Sequence, residues 1–156
     1  ARPTAALLRL LAATVQAQNI VEIGTGTGVA SAALLSGMTP AGVLTTIDVE
    51  AEHQRYAREV LLALGHEHTR VRLIAGRSLD VLPRLSDATY DLVFVDGDAT
   101  APAENLEDRL AAAFNPAWHR HRREATKRVD ASSTVSLLCM RKTSQTATPP
   151  SGTIEA

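Results

Sequence analysis

The chain has 156 residues, room for one domain with a real core, and its 45% hydrophobic and 21% charged residues are ordinary for a globular protein. A formal net charge of −1 argues against a protein built to hold polyanions, and a 3% aromatic content argues against a base-stacking surface. The lone cysteine, Cys139, excludes an intrachain disulfide and makes a reducing, cytoplasmic setting the default, while no apolar run approaches the roughly 20 residues that span a bilayer.

Leu7, Leu8, Leu11 and Val15 recur at helical spacing behind Pro3, which predicts a helix over 4–17. An apolar start interrupted by Arg2, Pro3 and Arg9 would also suit an export signal, but it runs without a linker into the first strand and reads as part of the domain. Ile20–Ile23 is a short buried strand, Gly24–Gly28 a turn, and Val29–Leu35 a helix stopped by Gly37 and Pro40. Val43–Ile47 is a second strand ending at Asp48. Glu50 and Glu52 open the next helix, where the macrodipole favours acids, and Ala57, Val60, Leu61 and Leu64 form its apolar stripe before Gly65. Val71–Ala75 is a third strand, Ser78–Leu85 a short helix, Leu92–Val95 a fourth strand ending at Asp96, and Glu104–Phe114 a further helix.

Strands alternating with helices imply an α/β fold, a Rossmann-like parallel sheet with helices on both faces. Ligands gather beyond the carboxyl ends of such strands, and here Gly24–Gly28, Asp48, Gly76–Ser78 and Asp96–Asp98 all fall at those ends. The pattern changes after about Asn115: "HRHRREATKR" is basic, "TSQTATPPSG" has the composition of a disordered tail, and "STVSLLCM" alone reads as a strand. The expected division is therefore a cofactor-binding domain over 1–114 and a divergent C-terminal segment over 115–156, with the sheet altered at its C-terminal strands. Strand four would be left as an open edge unless Ser133–Leu138 or another chain covers it.

Glycines at 24, 26 and 28 permit a sharp turn and a close backbone approach to a ligand. The nicotinamide fingerprint G-x-G-x-x-G would need glycine at position 29, where Val29 stands, and no Gly-Lys-Ser/Thr of a phosphate loop follows. Asp48, ending the next strand, suits the hydroxyls of a ribose. A ribose-bearing ligand without an obligatory pyrophosphate fits this combination, and S-adenosylmethionine is such a ligand.

"VEIGTGTGVAS", "GVLTTIDVEAEHQRYAREVL", "RVRLIAGRSLDVLPRL" and "YDLVFVDGD" resemble the successive motifs of bacterial O-methyltransferases related to catechol and caffeoyl-CoA O-methyltransferases, class I S-adenosylmethionine-dependent enzymes. The resemblance covers 5–98, in order and at matching spacings. It implies methyl transfer to a hydroxyl of a small acceptor. It implies that Glu22, Gly24, Thr25, Gly26 and Gly28 form the cofactor turn, with Glu22, Gly24 and Gly26 near its methionine part. It further implies Asp48 on the ribose, Gly76 and Ser78 near the adenine, Asp98 near the cofactor, Asp96 as a ligand of a divalent metal such as Mg²⁺, and a homodimer as the common assembly. The departures are Ala99 in place of the family's lysine, Phe114 where an Asp–Asn pair would leave only Asn115, and no C-terminal hairpin. They keep two alternatives open: a binding-only remnant that retains the cofactor half, and a nicotinamide-dependent oxidoreductase. A basic run from His119 to Arg128 raises nucleic acid as a partner, although a solvated helix face is the simpler reading.

Overall fold

A computed structural model describes residues 2–86 and 89–96, together with the strands Lys127–Arg128 and Ser136–Cys139. Helix α1 (Arg2–Thr14) leads into β1 (Asn19–Ile23), α2 (Val29–Gly37), β2 (Val43–Asp48), α3 (Ala51–Ala63), β3 (Val71–Ala75), the single turn α4 (Ser78–Val81) and β4 (Leu92–Val95). Strands β5 (Lys127–Arg128) and β6 (Ser136–Cys139) complete a sheet of order β3-β2-β1-β4-β6-β5, and they pair antiparallel with each other, a C-terminal strand pair where the sequence pattern shows no hairpin. Asp98, Ala99, the helix expected over 104–114, Phe114, Asn115, Trp118 and the basic run ahead of Lys127 lie outside the described residues.

Three elements end differently from their sequence pattern, each for a local reason. Helix α1 stops at Thr14 rather than 17 because Gln16 takes a left-handed φ of 49°, and the amides of Gln16 and Ala17 fold back onto the carbonyls of Ala13 and Ala12. The segment 78–85 is not one helix. Pro83 brings no N–H to an α-helical ladder, so α4 closes after one turn and Leu82–Arg84 tightens into a 3₁₀ turn. Strand β1 begins at Asn19, one residue ahead of the pattern, because the carboxylate of Asp91 accepts the Gln18 and Asn19 amides at 2.8 and 2.9 Å and holds the chain in line with β4.

Strands β1 to β4 pair in parallel, with Ile20 beside both Leu44 and Leu92, and Glu22 beside both Thr46 and Phe94. Side chains alternate between the faces. Ile20, Leu44, Leu92 and Phe94 pack with Leu8, Ala12, Leu34, Leu35 and Leu61 beneath α1, α2 and α3. Val21, Ile23, Ile47, Val93 and Val95 pack on the opposite face with Val81, Leu82 and Tyr90. The edge of β4 is covered by β6, which runs antiparallel with Val95 beside Ser136 and Leu92 beside Cys139. The strand read from "STVSLLCM" therefore supplies the neighbour that β4 lacked, although in the direction opposite to the other four.

The chain steps outward from β1 to β2 and β3, then crosses back to β4 on the other side of β1. That reversal opens a crevice at the carboxyl ends of β1 and β4, the position where open α/β sheets bind ligands.

Candidate active site at the carboxyl edge of the sheet

The four strand ends are tied to one another by single backbone hydrogen bonds. Gly24 N–H donates to the Ile47 carbonyl at 2.8 Å, Gly76 to Asp48 at 2.8 Å, and Asp96 to Ile23 at 2.8 Å. The sheet thus brings Gly24, Asp48, Gly76 and Asp96 to one edge, with Ser78 at the first position of α4 close behind Gly76.

The glycine turn closes through a bond from Gly28 N–H to the Thr25 carbonyl at 2.9 Å, and α2 starts when Ala32 N–H reaches the Gly28 carbonyl. Gly26 has φ of 49°, and a Cβ built there would meet nothing within 4 Å. Its bare backbone faces open space of the kind a ligand fills. Gly28 differs. At φ of 78°, its missing side chain makes room for α3, because a Cβ there would lie 3.1 Å from the Cβ of Ala57. Gly26 and Gly28 are both required to be small, one on the open side of the turn and one on its packed side.

Asp48 engages the turn directly. Its Oδ2 accepts the amides of Thr25 at 2.9 Å and Gly26 at 3.0 Å, and its Oδ1 accepts the Glu50 amide at 2.9 Å. His53 Nδ1, on α3, lies 3.2 Å from Oδ2. Burial pushes the Asp48 carboxyl upward, but the donors from Glu50, Gly26 and His53 outweigh it and hold the pKa below the ordinary value. An ionised carboxylate at this point is the state a sugar hydroxyl needs as an acceptor.

Glu22 faces the helices and is fully buried beside Ser31, whose hydroxyl donates to its Oε2. Its Oε1 has no hydrogen-bond partner among the described residues. Burial is the main cause of a pKa raised to about 7; the Ser31 and Thr46 hydroxyls pull it back, and the charges of Asp96 and Asp48 add to the rise. Thr25 is buried too, and its hydroxyl points inward, 2.7 Å from Thr46 Oγ1, so its side chain shapes the turn from within. Asp96 is exposed at the end of β4, and the protein around it raises its pKa by partial desolvation.

Three contributors carry no obvious motif: His53, Gln54 and Arg70. Gln54 is buried under the turn, a placement signalled only by its helical phase with Ala57 and Leu61, the buried residues of α3. Arg70 donates to the carbonyls of Gly42 at 3.1 Å and Thr39 at 2.9 Å, fixing the connection between α2 and β2. Among the described residues no three His, Cys, Asp or Glu side chains gather as metal ligands, and no helix is long and apolar enough to cross a membrane.

A family model described as "Methyltransferase domain" matches residues 21–130. The "Probable O-methyltransferase Rv1220c" of Mycobacterium tuberculosis (strain H37Rv) is 54% identical over 93 residues, which are 60% of this chain and 42% of that protein. Among solved structures, the O-methyltransferase TomG from Streptomyces achromogenes in complex with SAM aligns with a TM-score of 0.66 and 36% identity, over 74% of this chain and 52% of TomG. The O-methyltransferase from Bacillus cereus in complex with SAH aligns with a TM-score of 0.65 and 26% identity, over 74% of this chain and 53% of that one. The chain spans about half the length, or less, of these relatives.

Proposed function

The chain belongs to the family of methyltransferase domains, and on that premise we propose that it binds S-adenosylmethionine at the carboxyl edge of its sheet for methyl transfer to a hydroxyl of a small acceptor. The observation that carries this reading is the turn between β1 and α2: a glycine open on the ligand side, an ionised Asp48 beside it, and a buried Glu22 oxygen without a partner. These residues fit the ligand's chemistry. Asp48 is the acceptor assigned to the ribose hydroxyls, on a carboxylate held in place by the Thr25, Gly26 and Glu50 amides and by His53. Glu22 is the acceptor assigned to the methionine end with Gly24 and Gly26, and Gly76 and Ser78 border the adenine. Thr25 and Gly28 set the shape of the turn, and Asp98 is assigned beside the cofactor.

When bound, S-adenosylmethionine supplies a methyl group on a sulfonium for in-line attack by the acceptor oxygen. The chain's share is positioning, which is worth about 7–11 kcal/mol of barrier when two reactants are held in line. Asp48 and the turn hold the nucleoside; the crevice between β1 and β4 fixes the direction of approach. A divalent ion at Asp96 would polarise the acceptor hydroxyl, and among the described residues no group of three His, Cys, Asp or Glu side chains forms around it.

The nicotinamide alternative is left without support by the family membership, and Val29 stands exposed where its fingerprint needs glycine. Cofactor binding without transfer is the second reading, and Ala99 and Phe114, in place of the residues the family resemblance calls for, favour it. We assign the small acceptor and a homodimer on the resemblance, a cytoplasmic setting on the lone Cys139, and the 1–114/115–156 division on the change of sequence pattern after about Asn115. Label transfer from methyl-tritiated S-adenosylmethionine to a catechol, set beside a titration with S-adenosylhomocysteine, tests the proposal. Transfer with binding supports the enzyme, and binding without transfer supports the second reading.

A further inference from the structure

The buried side of the glycine turn rests on a polar network that the cofactor assignment leaves unexplained. Gln54, on α3, is only 6% exposed. Its Nε2 donates to Thr25 Oγ1 at 3.0 Å and to the Ile74 carbonyl at 3.1 Å, and lies 3.5 Å from the Thr46 carbonyl. The carbonyls settle the orientation of the amide, because only the nitrogen can face two acceptors. Thr25 Oγ1 therefore accepts from Gln54, and it lies 2.7 Å from Thr46 Oγ1, a pair in which either hydroxyl can donate. The Thr46 hydroxyl is in turn one of the two that face Glu22. One amide on α3 thus links the carboxyl ends of β1, β2 and β3 and joins the two hydroxyls that lie between it and the buried acid of β1.

We propose that Gln54 is a positioning residue for the glycine turn: it clamps Thr25 from the core side while Asp48 clamps the Thr25 and Gly26 amides from the ligand side. Its functional consequence rests on reading that turn as the cofactor cradle; the clamp itself does not. An isolated turn with three glycines is conformationally free, so holding it in one shape before a ligand arrives removes an ordering cost from binding. A glutamine that served only as core filling would not need its donors, because an apolar side chain of similar volume avoids burying an amide. Here the Oε1 atom is buried without a partner among the described residues, a cost retained for the sake of the Nε2 contacts.

The test uses the ligand-free chain and three variants. Gln54→Leu removes the amide while keeping bulk, Thr25→Val removes the hydroxyl with little change of shape, and Thr25→Ser keeps the hydroxyl. Amide hydrogen exchange should quicken at least tenfold at Thr25 and Gly26 in Gln54→Leu and in Thr25→Val. The ladder amides of Thr45 and Val93 should change much less, and Thr25→Ser should match the wild type. Uniform quickening across turn and ladder, or no change at the turn, overturns the clamp and makes Gln54 a stability residue only. Calorimetric titration with S-adenosylhomocysteine then reads the consequence: affinity at least fivefold weaker in Gln54→Leu and Thr25→Val, and near wild type in Thr25→Ser. A wild-type chain that fails to bind S-adenosylhomocysteine overturns the cofactor reading alone, since the exchange rates still decide the role of Gln54.

Discussion

Replacing Glu22 with glutamine should remove the pH dependence that this residue imposes on stability. The carboxyl is fully buried, and its pKa is raised from 4.5 to about 7, chiefly by burial. The folded chain therefore binds a proton between those values that the unfolded chain has released. By linkage, stability falls as pH rises through this window, and the penalty is complete once pH exceeds the folded pKa. A shift of this size corresponds to about 3 kcal/mol, of which about 2.5 kcal/mol develops between pH 5 and pH 8. Glutamine has the same outline and no charge to desolvate, and it can still meet the Ser31 hydroxyl. Urea unfolding of wild type and Glu22→Gln at pH 5 and pH 8 measures the difference, and using the difference cancels other titrating groups such as His66, whose lowered pKa acts in the opposite sense. The variant should be the more stable by about 2.5 kcal/mol more at pH 8 than at pH 5. A stability difference independent of pH would refute the claim that Glu22 is a buried acid protonated near neutrality.

Asp48→Ala should weaken S-adenosylhomocysteine binding at least tenfold, since charge-assisted hydrogen bonds are worth about 1.5–3 kcal/mol each, and calorimetry on the folded variant checks it. Because the Asp48 pKa is lowered in the fold, the stability it contributes is present above the unfolded value and lost as pH falls through the folded one, a slope that the variant should lack in acid titration. Gly26→Val should cost mainly the strain of a left-handed φ, on the order of 1–2 kcal/mol in thermal unfolding, because a Cβ there meets no atom of the described residues within 4 Å, yet it should abolish cofactor binding. Gly28→Ala should lower stability by more, by adding the clash with Ala57 to a φ of 78°, and any loss of binding should track the loss of folded protein.

Much of this architecture is legible without coordinates because the cues are local. An apolar strand, a glycine cluster and an Ala-rich helix in succession admit few arrangements, and an acid or glycine closing each strand marks the edge where the site must lie. The resemblance in "VEIGTGTG" and "YDLVFVDGD" implies that these ends form one site, and the fold brings Asp48 and Asp96 near enough for their charges to act on Glu22. Gln54 was not legible because a polar residue on a charged helix looks solvated. Only its phase with Ala57 and Leu61 distinguishes it, and the sequence stripe of Ala57, Val60, Leu61 and Leu64 drew the face too far toward Leu64, which is 60% exposed. Whether Thr25 shapes its turn from within or faces the ligand is likewise set by contacts with Thr46 and Gln54, residues remote in sequence. The role of Ser136–Cys139 was legible as far as its place, since strand four reads as an open edge that Ser133–Leu138 could cover; its antiparallel direction is the tertiary fact that strand propensity does not encode.

The central claim is that the carboxyl edge of β1, β2 and β4 is a site for an adenosyl sulfonium cofactor, and calorimetric titration of the wild-type chain with S-adenosylhomocysteine, with NADH run in parallel, tests it most directly. The account predicts saturable one-to-one binding of S-adenosylhomocysteine, competed by S-adenosylmethionine, lost in Gly26→Val, and no heat of binding with NADH. Saturable binding of NADH with none of S-adenosylhomocysteine would contradict it.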